Sequence, residues 1–481
     1  MSRNMDPYKK TILFFLSLVS IALMTALFSY FWYEIYADTM YVYQFYRRGN
    51  YAIIALYAVL QYFFAQTYGA LRIGQLRRIE IILSHFLSSF IANVVMYMII
   101  SLLAFRLVNP LYMLLMQVLD FIISTLWTVC ATVLYNRIFQ PWKILLIYGE
   151  RPAADLIYKV EARRDKYAIY DAIDVDEGLD AIGERMKDFQ AVIIGDIAVE
   201  KRNEVLKYCF QKKMRAYVIP KISDILLMGA DQIHIFDTPF SLIKGYALSF
   251  DERLRKRALD LAICVPLVLL LSPLMLLIAL IIKLYDRGPV LYRQIRLTKD
   301  DREFHIIKFR SMNTDAEDDG EAVLSPKNDP RITPFGRLIR ATRLDELPQL
   351  INIIKGDMSL VGPRPERPEI ALQYAEEMPE FSFRTRVKAG LTGFAQIYGK
   401  YNTVPYDKLK LDLFYIENYS LWMDIKLILM TIKTMLKNDA AEGILEEQHT
   451  ALRKKSIGNE NIDHIVQNII VHNTKGRMDD E

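Results

Sequence analysis

Cysteine is nearly absent from this chain of 481 residues: Cys130, Cys209 and Cys264 stand far apart, with no CxxC pair. That usage excludes a disulfide framework and a structural zinc site. Two of the three lie in apolar runs, where a free thiol behaves as a small hydrophobe, which fits a reducing, cytosol-facing protein. Histidine is also scarce, with six residues, none at helical or metal spacing; His305, beside Lys308, reads as structural. A glycine-rich phosphate loop is missing too, because Gly149-Glu150-Arg151-Pro152-Ala153-Ala154 lacks the GxGxxG glycines that let backbone approach a pyrophosphate. Net charge is small for this length, a formal +4, but the figure conceals an apolar N-terminal third and a charged, basic-rich remainder.

Long apolar runs are what the chain has instead. Segments at about 11–32, 51–69, 86–107 and 111–135 are each long enough to cross a bilayer. The first has no small-residue cleavage site after it and reads as a retained helix, not a signal peptide. Basic residues at Arg3, Lys9, Lys10, Arg72, Arg77, Arg78, Arg137 and Lys143 put the N-terminus, the loop in the 70s and everything after 136 on the cytoplasmic side. Arg47 and Arg48 in the outer loop run mildly against that assignment. From Lys143 short strands alternate with helices, at 144–149, 190–195 and 216–220, as expected of a small parallel α/β unit. At roughly 150 residues per folding unit, two or three domains are expected.

A fifth apolar run, 261–282, has basic residues on both flanks, and a crossing there would carry the charged C-terminal block outside. Pro266 and the Ser272-Pro273 pair suggest a helix broken so that it enters and returns on one side, with the Ser272 hydroxyl helping to satisfy the freed backbone. A kinked fifth span is the alternative.

Residues 283–400 are dense in Arg, Gly, Pro and paired acids. Three pieces stand out: Lys308-Phe309-Arg310; Arg340 to Arg343 followed by Leu344-Asp345-Glu346-Leu347-Pro348; and Gly362-Pro363-Arg364-Pro365-Glu366. Singly, each reads as an exposed strand face, a solvated acid pair or a rigid turn. Together they supply carboxylates to attack phosphorus or hold Mg²⁺, and fixed cations to neutralise phosphate oxygens. Arg340 lies five residues before Asp345, so the two would not stack on one helix, and a break between them is expected.

With Lys256-Arg257, Asp260, Ser272-Pro273, Gly288-Pro289, Arg293-Gln294, Gly390-Leu391-Thr392-Gly393 and Tyr415 to Tyr419, these blocks make 256–433 resemble the bacterial sugar transferase family, the monotopic polyprenyl-phosphate phosphoglycosyl transferases. The four spans and α/β unit resemble its large subgroup. The resemblance implies an α-helical membrane bundle (1–140), a Rossmann-like α/β regulatory or assembly domain (141–248), a mostly α monotopic catalytic domain (249–437) with a re-entrant membrane helix (257–284) breaking at Ser272 and Pro273, and a polar tail (438–481). It further implies transfer of a hexose-1-phosphate from a UDP-sugar to undecaprenyl phosphate in exopolysaccharide, capsule or O-antigen synthesis. Asp345 would be the nucleophile, and Glu346 a Mg²⁺ ligand or base. Arg340, Arg364, Lys308, Arg310, Pro363, Pro365 and Glu366 would bind phosphate or substrate. The expected setting is the cytoplasmic face of the bacterial inner membrane, with membrane lipid, a possible homodimer and polysaccharide-assembly proteins as partners, and no nucleic acid. Val387-Lys388-Ala389 and Phe394 depart from the family's common pattern beside the nucleotide end. A non-catalytic membrane scaffold is the rival reading.

Overall fold

The computed structural model describes residues 6–37, 47–149, 154–161, 163, 166–313, 331–399 and 403–436. The acidic loop from Asp315 to Glu321, the loop after Gly149 and the polar tail fall outside them. The chain divides into two compact units between Ile219 and Pro220, so residues 220–248, assigned from sequence to the α/β domain, belong with the C-terminal unit.

In the first unit, α1 (Lys9–Phe31, continued by a π-helical turn Trp32–Tyr36), α2 (Arg47–Tyr68), α3 (Arg78–Leu103) and α4 (Pro110–Ile138) pack as sequential neighbours. The third helix starts eight residues before the expected apolar window, where the Glu80 carboxylate accepts from the Arg77 backbone amide across the charged first turn. It stops near Leu103, where Phe105 takes a left-handed backbone. Lys9–Tyr36, Arg78–Leu103 and Pro110–Ile138 are long and apolar enough to cross a membrane. The second helix, whose apolar run is interrupted by Gln61 and Gln66, is not among these. Polar side chains stitch the helices from within: Asn93 donates to Gln117 Oε1 (2.8 Å) and Asp120 Oδ2 (2.9 Å) and accepts from Tyr57 (3.1 Å). Such bonds are favoured where no water can compete.

The same unit continues into a parallel sheet ordered β2-β1-β3-β4, from β1 (Trp142–Tyr148), β2 (Tyr167–Asp174), β3 (Ala191–Ile194) and β4 (Arg215–Val218). Helices α5 (Ala154–Glu161), α6 (Leu179–Met186) and α7 (Val199–Gln211) complete it. Alternate residues of β1 feed opposite faces, Leu145 and Ile147 into one buried cluster and Ile144 and Leu146 into another. The second strand was not legible. Its register slips one residue between Ile144 and Leu145, so buried positions fall in pairs, Ala168-Ile169 and Ala172-Ile173, and not at every second residue.

The second unit begins with α8 (Ile222–Met228) and an exposed antiparallel hairpin, β5 (Asp231–Ile235) and β6 (Thr238–Leu242). Then comes α9 (Phe250–Asp286), whose first turn is closed by a Ser249–Glu252 capping box. This helix is apolar enough to cross a membrane. It runs through Pro266 and Pro273. Pro273 has no amide to give Leu269 O, and the Ser272 hydroxyl donates to that carbonyl at 2.8 Å instead. Residues before the pair, including Cys264, share a core with Leu350, Ile353 and Leu413; residues after it, Ile278 and Ile282, pack on Phe309 and Ile339.

The start of α9 is pinned by a buried polar set. Lys256 Nζ lies 2.7 Å from Asp424 and 3.0 Å from the Tyr415 hydroxyl, which donates to Asp424. Arg257 donates to the Ile353 and Ile354 carbonyls at the end of α11 (Gln349–Lys355), at 2.6 and 2.7 Å. Asp260 accepts from Ser359 Oγ and Leu360 N in β9 (Ser359–Val361). The Lys256, Arg257, Asp260, Tyr415 and Asp424 positions thus anchor the apolar helix to the folded unit. Removing one member of a buried pair strands the other, at a cost of about 3–5 kcal/mol. Lys256→Met should therefore lower the thermal midpoint of the detergent-solubilised protein by several degrees; an unchanged midpoint would refute the anchoring role.

Candidate active site

Three elements carry the chemistry. β7 (Leu291–Leu297) and β8 (Glu303–Phe309) form an antiparallel hairpin, in which Lys308 lies opposite Tyr292 and Ile306 opposite Gln294. Asn352 on α11 fixes it by donating to His305 O and accepting from Ile307 N, as a neighbouring strand would. α10 (Pro334–Ala341) is capped by Thr333 and ends before Arg343, whose left-handed backbone (φ 58°) opens a 3-10 turn Leu344–Glu346. That turn is the break expected between Arg340 and the acid pair. The third element is the loop from Gly362 to Glu366. Here Gly362 and Gly390 approach so closely that a Cβ on Gly390 would stand 2.1 Å from the Gly362 nitrogen, so the loop tolerates no side chain there.

The turn buries both acids, Asp345 to 9% exposure and Glu346 to 8%, yet gives them different surroundings. Glu346 Oε1 accepts from Lys308 Nζ (3.2 Å) and Arg364 Nη2 (3.1 Å), with Arg343 Nη1 at 3.8 Å. No hydrogen bond or ion pair from a described residue engages the Asp345 carboxylate. Burial works to raise Glu346, but the charges of Lys308, Arg364 and Arg343 outweigh it and hold the carboxyl well below the usual range. Asp345 goes the other way: burial first and the Glu346 charge second raise it, opposed in part by Lys308, Arg340 and Arg343. Burial likewise lowers Lys308, with Glu346 working against it. The result is an open, raised carboxylate beside one locked in the ionised state by cations.

Other residues singled out from sequence have different placements. Arg310 is buried against Gly288, where a Cβ would meet its guanidinium at 2.2 Å; it supports the hairpin base and does not touch the acid pair. Glu366 faces away into a buried ion cluster, accepting from Lys408 and from Arg384 (3.4 Å) and held down to about 2 despite burial. Pro363 and Pro365 act through their carbonyls, which accept from Gly390 N and from Arg296 Nη1. Arg384, 4% exposed, also donates to Arg364 O at 2.8 Å and pairs with Asp412 at 2.8 Å.

Arg296, Gln349 and Arg384 were missed as site residues. Arg296 and Gln349 line, with Lys308, Glu346, Arg364 and Pro365, a small recess of about 250 Å³ including its open mouth. The signal for Arg296 was present, since the two-residue period of β7 puts positions 292, 294 and 296 on the Lys308 face. Arg384 carries no comparable pattern.

The model of the bacterial sugar transferase family matches residues 251–438. An exopolysaccharide production protein of Rhizobium leguminosarum bv. phaseoli is 39% identical over 191 residues, 38% of this chain and 94% of that protein. The chain belongs to the bacterial sugar transferase family. Its sugar transferase region is also 47% identical over 205 residues (40% of this chain, 38% of the relative) to an undecaprenyl-phosphate glucose phosphotransferase of Komagataeibacter xylinus. It is 38% identical over 235 residues (48% and 54%) to a UDP-N-acetylgalactosamine-undecaprenyl-phosphate N-acetylgalactosaminephosphotransferase of Aeromonas hydrophila. The chain thus spans about half the length, or less, of these last two curated relatives.

Among the described residues no cluster of three or more His, Cys, Asp or Glu could cage a metal. The two carboxylates of the turn, Asp345 and Glu346, are of the kind that commonly hold Mg²⁺ together with substrate phosphates.

The nucleophile role that the family resemblance implies for Asp345 would require it ionised, and its raised pKa moves that requirement toward neutrality. Activity should therefore fall with decreasing pH along a limb above about 3.9, the ordinary aspartate value, while Glu346 stays charged. Arg340→Gln removes a cation that lowers Asp345 and should move the limb upward in a kcat/KM profile. A limb at or below the ordinary value, or a downward move in the variant, would contradict this assignment.

Proposed function

We propose that this protein transfers a hexose-1-phosphate from a UDP-sugar to undecaprenyl phosphate, giving undecaprenyl-diphosphate-sugar and UMP, the initiating step of exopolysaccharide, capsule or O-antigen synthesis. The observation that carries the reading is the contrast between the unengaged Asp345 carboxylate and the Glu346 carboxylate locked between Lys308 and Arg364. Relatives named for glucose and for N-acetylgalactosamine match the same region, so the hexose is left open.

An Asp345 oxygen attacks the β-phosphorus of the donor; the bond from that phosphorus to the bridging oxygen breaks, and UMP leaves with the electron pair. The carrier phosphate then attacks the same phosphorus, breaking the aspartyl–phosphorus bond and restoring the carboxylate. A covalent intermediate divides one difficult transfer into two. Lys308, Arg364 and Arg340 provide fixed positive charge where phosphate oxygens accumulate negative charge. Asp345 and Glu346 would hold Mg²⁺, whose charge would further neutralise phosphate oxygens. A carboxylate held as far down as Glu346 is a weak base, which favours the role of metal ligand and organiser of cations over proton acceptor.

Two features support action at a membrane surface by re-entrance of α9. Residues on both sides of Ser272-Pro273 pack on one folded unit, while Leu269, Leu270 and Leu276 around this pair are more than 70% exposed. A crossing helix would put its two ends on opposite sides. With the positive flanks of the first unit, this reading puts the site on the cytoplasmic face of the bacterial inner membrane.

Purified protein given Mg²⁺, a panel of UDP-sugars and undecaprenyl phosphate should release UMP with at least one donor. Asp345→Asn should lower that rate roughly a thousandfold or more, as removal of a nucleophile does elsewhere; near-normal release from the variant would refute the role. In a chain without its native cysteines, Ser241→Cys and Arg293→Cys should react with an impermeant reagent from the same side of the membrane. Labelling from opposite sides would show that α9 crosses.

A further inference from the structure

A second cavity stands beside the catalytic recess. It has about 970 Å³ of space including its open mouth and shares Arg364 and Pro365 with the recess. The recess, at about 250 Å³ even with its open mouth counted, is too small for a whole nucleoside-diphosphate sugar, so part of the donor requires space elsewhere. We propose that this groove binds the nucleoside half of the UDP-sugar; the inference rests on the reaction proposed above and names where its donor lies.

The walls select the occupant. Phe381 and Val387 are buried beneath the groove, and Leu372 of α12 (Pro368–Glu377) stands 67% exposed at its edge. Ala371 and Ala375, one turn apart on that helix, also line it and leave a slot between helix and floor. Apolar side chains facing across a slot suit a flat base, whose stacking is sequence-tolerant and substantial; a hexose presents hydroxyls all round and would lose its hydration against them. Asp301 and Glu303 at the rim can accept hydrogen bonds from ribose hydroxyls. The polyprenyl chain is a poor occupant, because no residue of the apolar helix α9 lines the groove.

Continuity between the cavities gives the geometry its sense. Arg364 borders both, and its guanidinium already lies 3.1 Å from Glu346. A diphosphate passing over Arg364 would therefore have its sugar-bearing phosphorus on the acid-pair side and its nucleoside on the Leu372 side. Arg384 fixes this divide from below through its bond to Arg364 O.

The test is steady-state kinetics with donor and carrier varied separately, on the full-length protein and two variants. Ala375→Trp fills the slot, and Leu372→Ala removes its edge while leaving a helix former at an exposed position. Both should raise the donor KM, Ala375→Trp by about tenfold, the scale of one lost base-stacking contact, with the carrier KM unchanged. UMP should inhibit both variants more weakly than the parent as a product. An unchanged donor KM in Leu372→Ala together with unchanged UMP inhibition would overturn the groove assignment even if Ala375→Trp fails to fold. Equal rises in donor and carrier KM would also overturn it. Failure of the parent itself to release UMP from any donor would refute the proposed reaction and is thereby distinguishable from failure of the groove.

Discussion

One interaction governs the site: the Glu346 carboxylate accepting from Lys308 and Arg364 on two separate elements. Two adjacent carboxylates in one buried turn repel each other, and neither would stay ionised without compensation. The cations give that compensation to Glu346 in full and to Asp345 only through space. The asymmetry leaves the Asp345 carboxylate without a hydrogen-bond partner among the described residues, with the Lys308 and Arg364 cations already aligned on its neighbour.

Much of the remaining unit keeps those two cations in place. Lys308 sits on a hairpin braced by Asn352, and Arg364 on a loop whose backbone is clamped by Arg384, itself tied to Asp412 and Glu366. Glu366 is held in the charged form by Lys408, Arg384 and Arg296, and so stiffens the loop that carries Arg364. At the other end, Lys256, Arg257 and Asp260 fasten α9 to the same core that carries α11 and β9. The transfer proposed above, between a soluble donor and a carrier in lipid, would need such a link between apolar helix and charged site.

What was legible followed physical periodicity and punctuation. The bundle helices and three of the four parallel strands were visible as apolar runs, and the break before Asp345 followed from a spacing that no single helix could satisfy. Ser272-Pro273 likewise announced a missing backbone bond, which the Ser272 hydroxyl partly replaces. What failed depended on long-range pairing. A one-residue slip against Ile144 and Leu145 scrambled the alternation of β2, and the burial of Arg310 against Gly288 could not be seen because their 22-residue separation closes only when the hairpin forms. The domain boundary was displaced for a similar reason: the hairpin at 231–242 continues the strand-rich pattern of the α/β layer, but it belongs to the unit that begins at Pro220.

The central claim is that Asp345 becomes covalently linked to the donor's sugar-phosphate while Glu346 holds the neighbouring cations. Mass spectrometry of protein quenched after mixing with a turned-over UDP-sugar and Mg²⁺, in the absence of carrier, tests it most directly. The account predicts a hexose-phosphate mass on the peptide containing Asp345, lost when undecaprenyl phosphate is added before the quench. An adduct on a different residue, or none in a preparation that turns over once carrier is supplied, would contradict it.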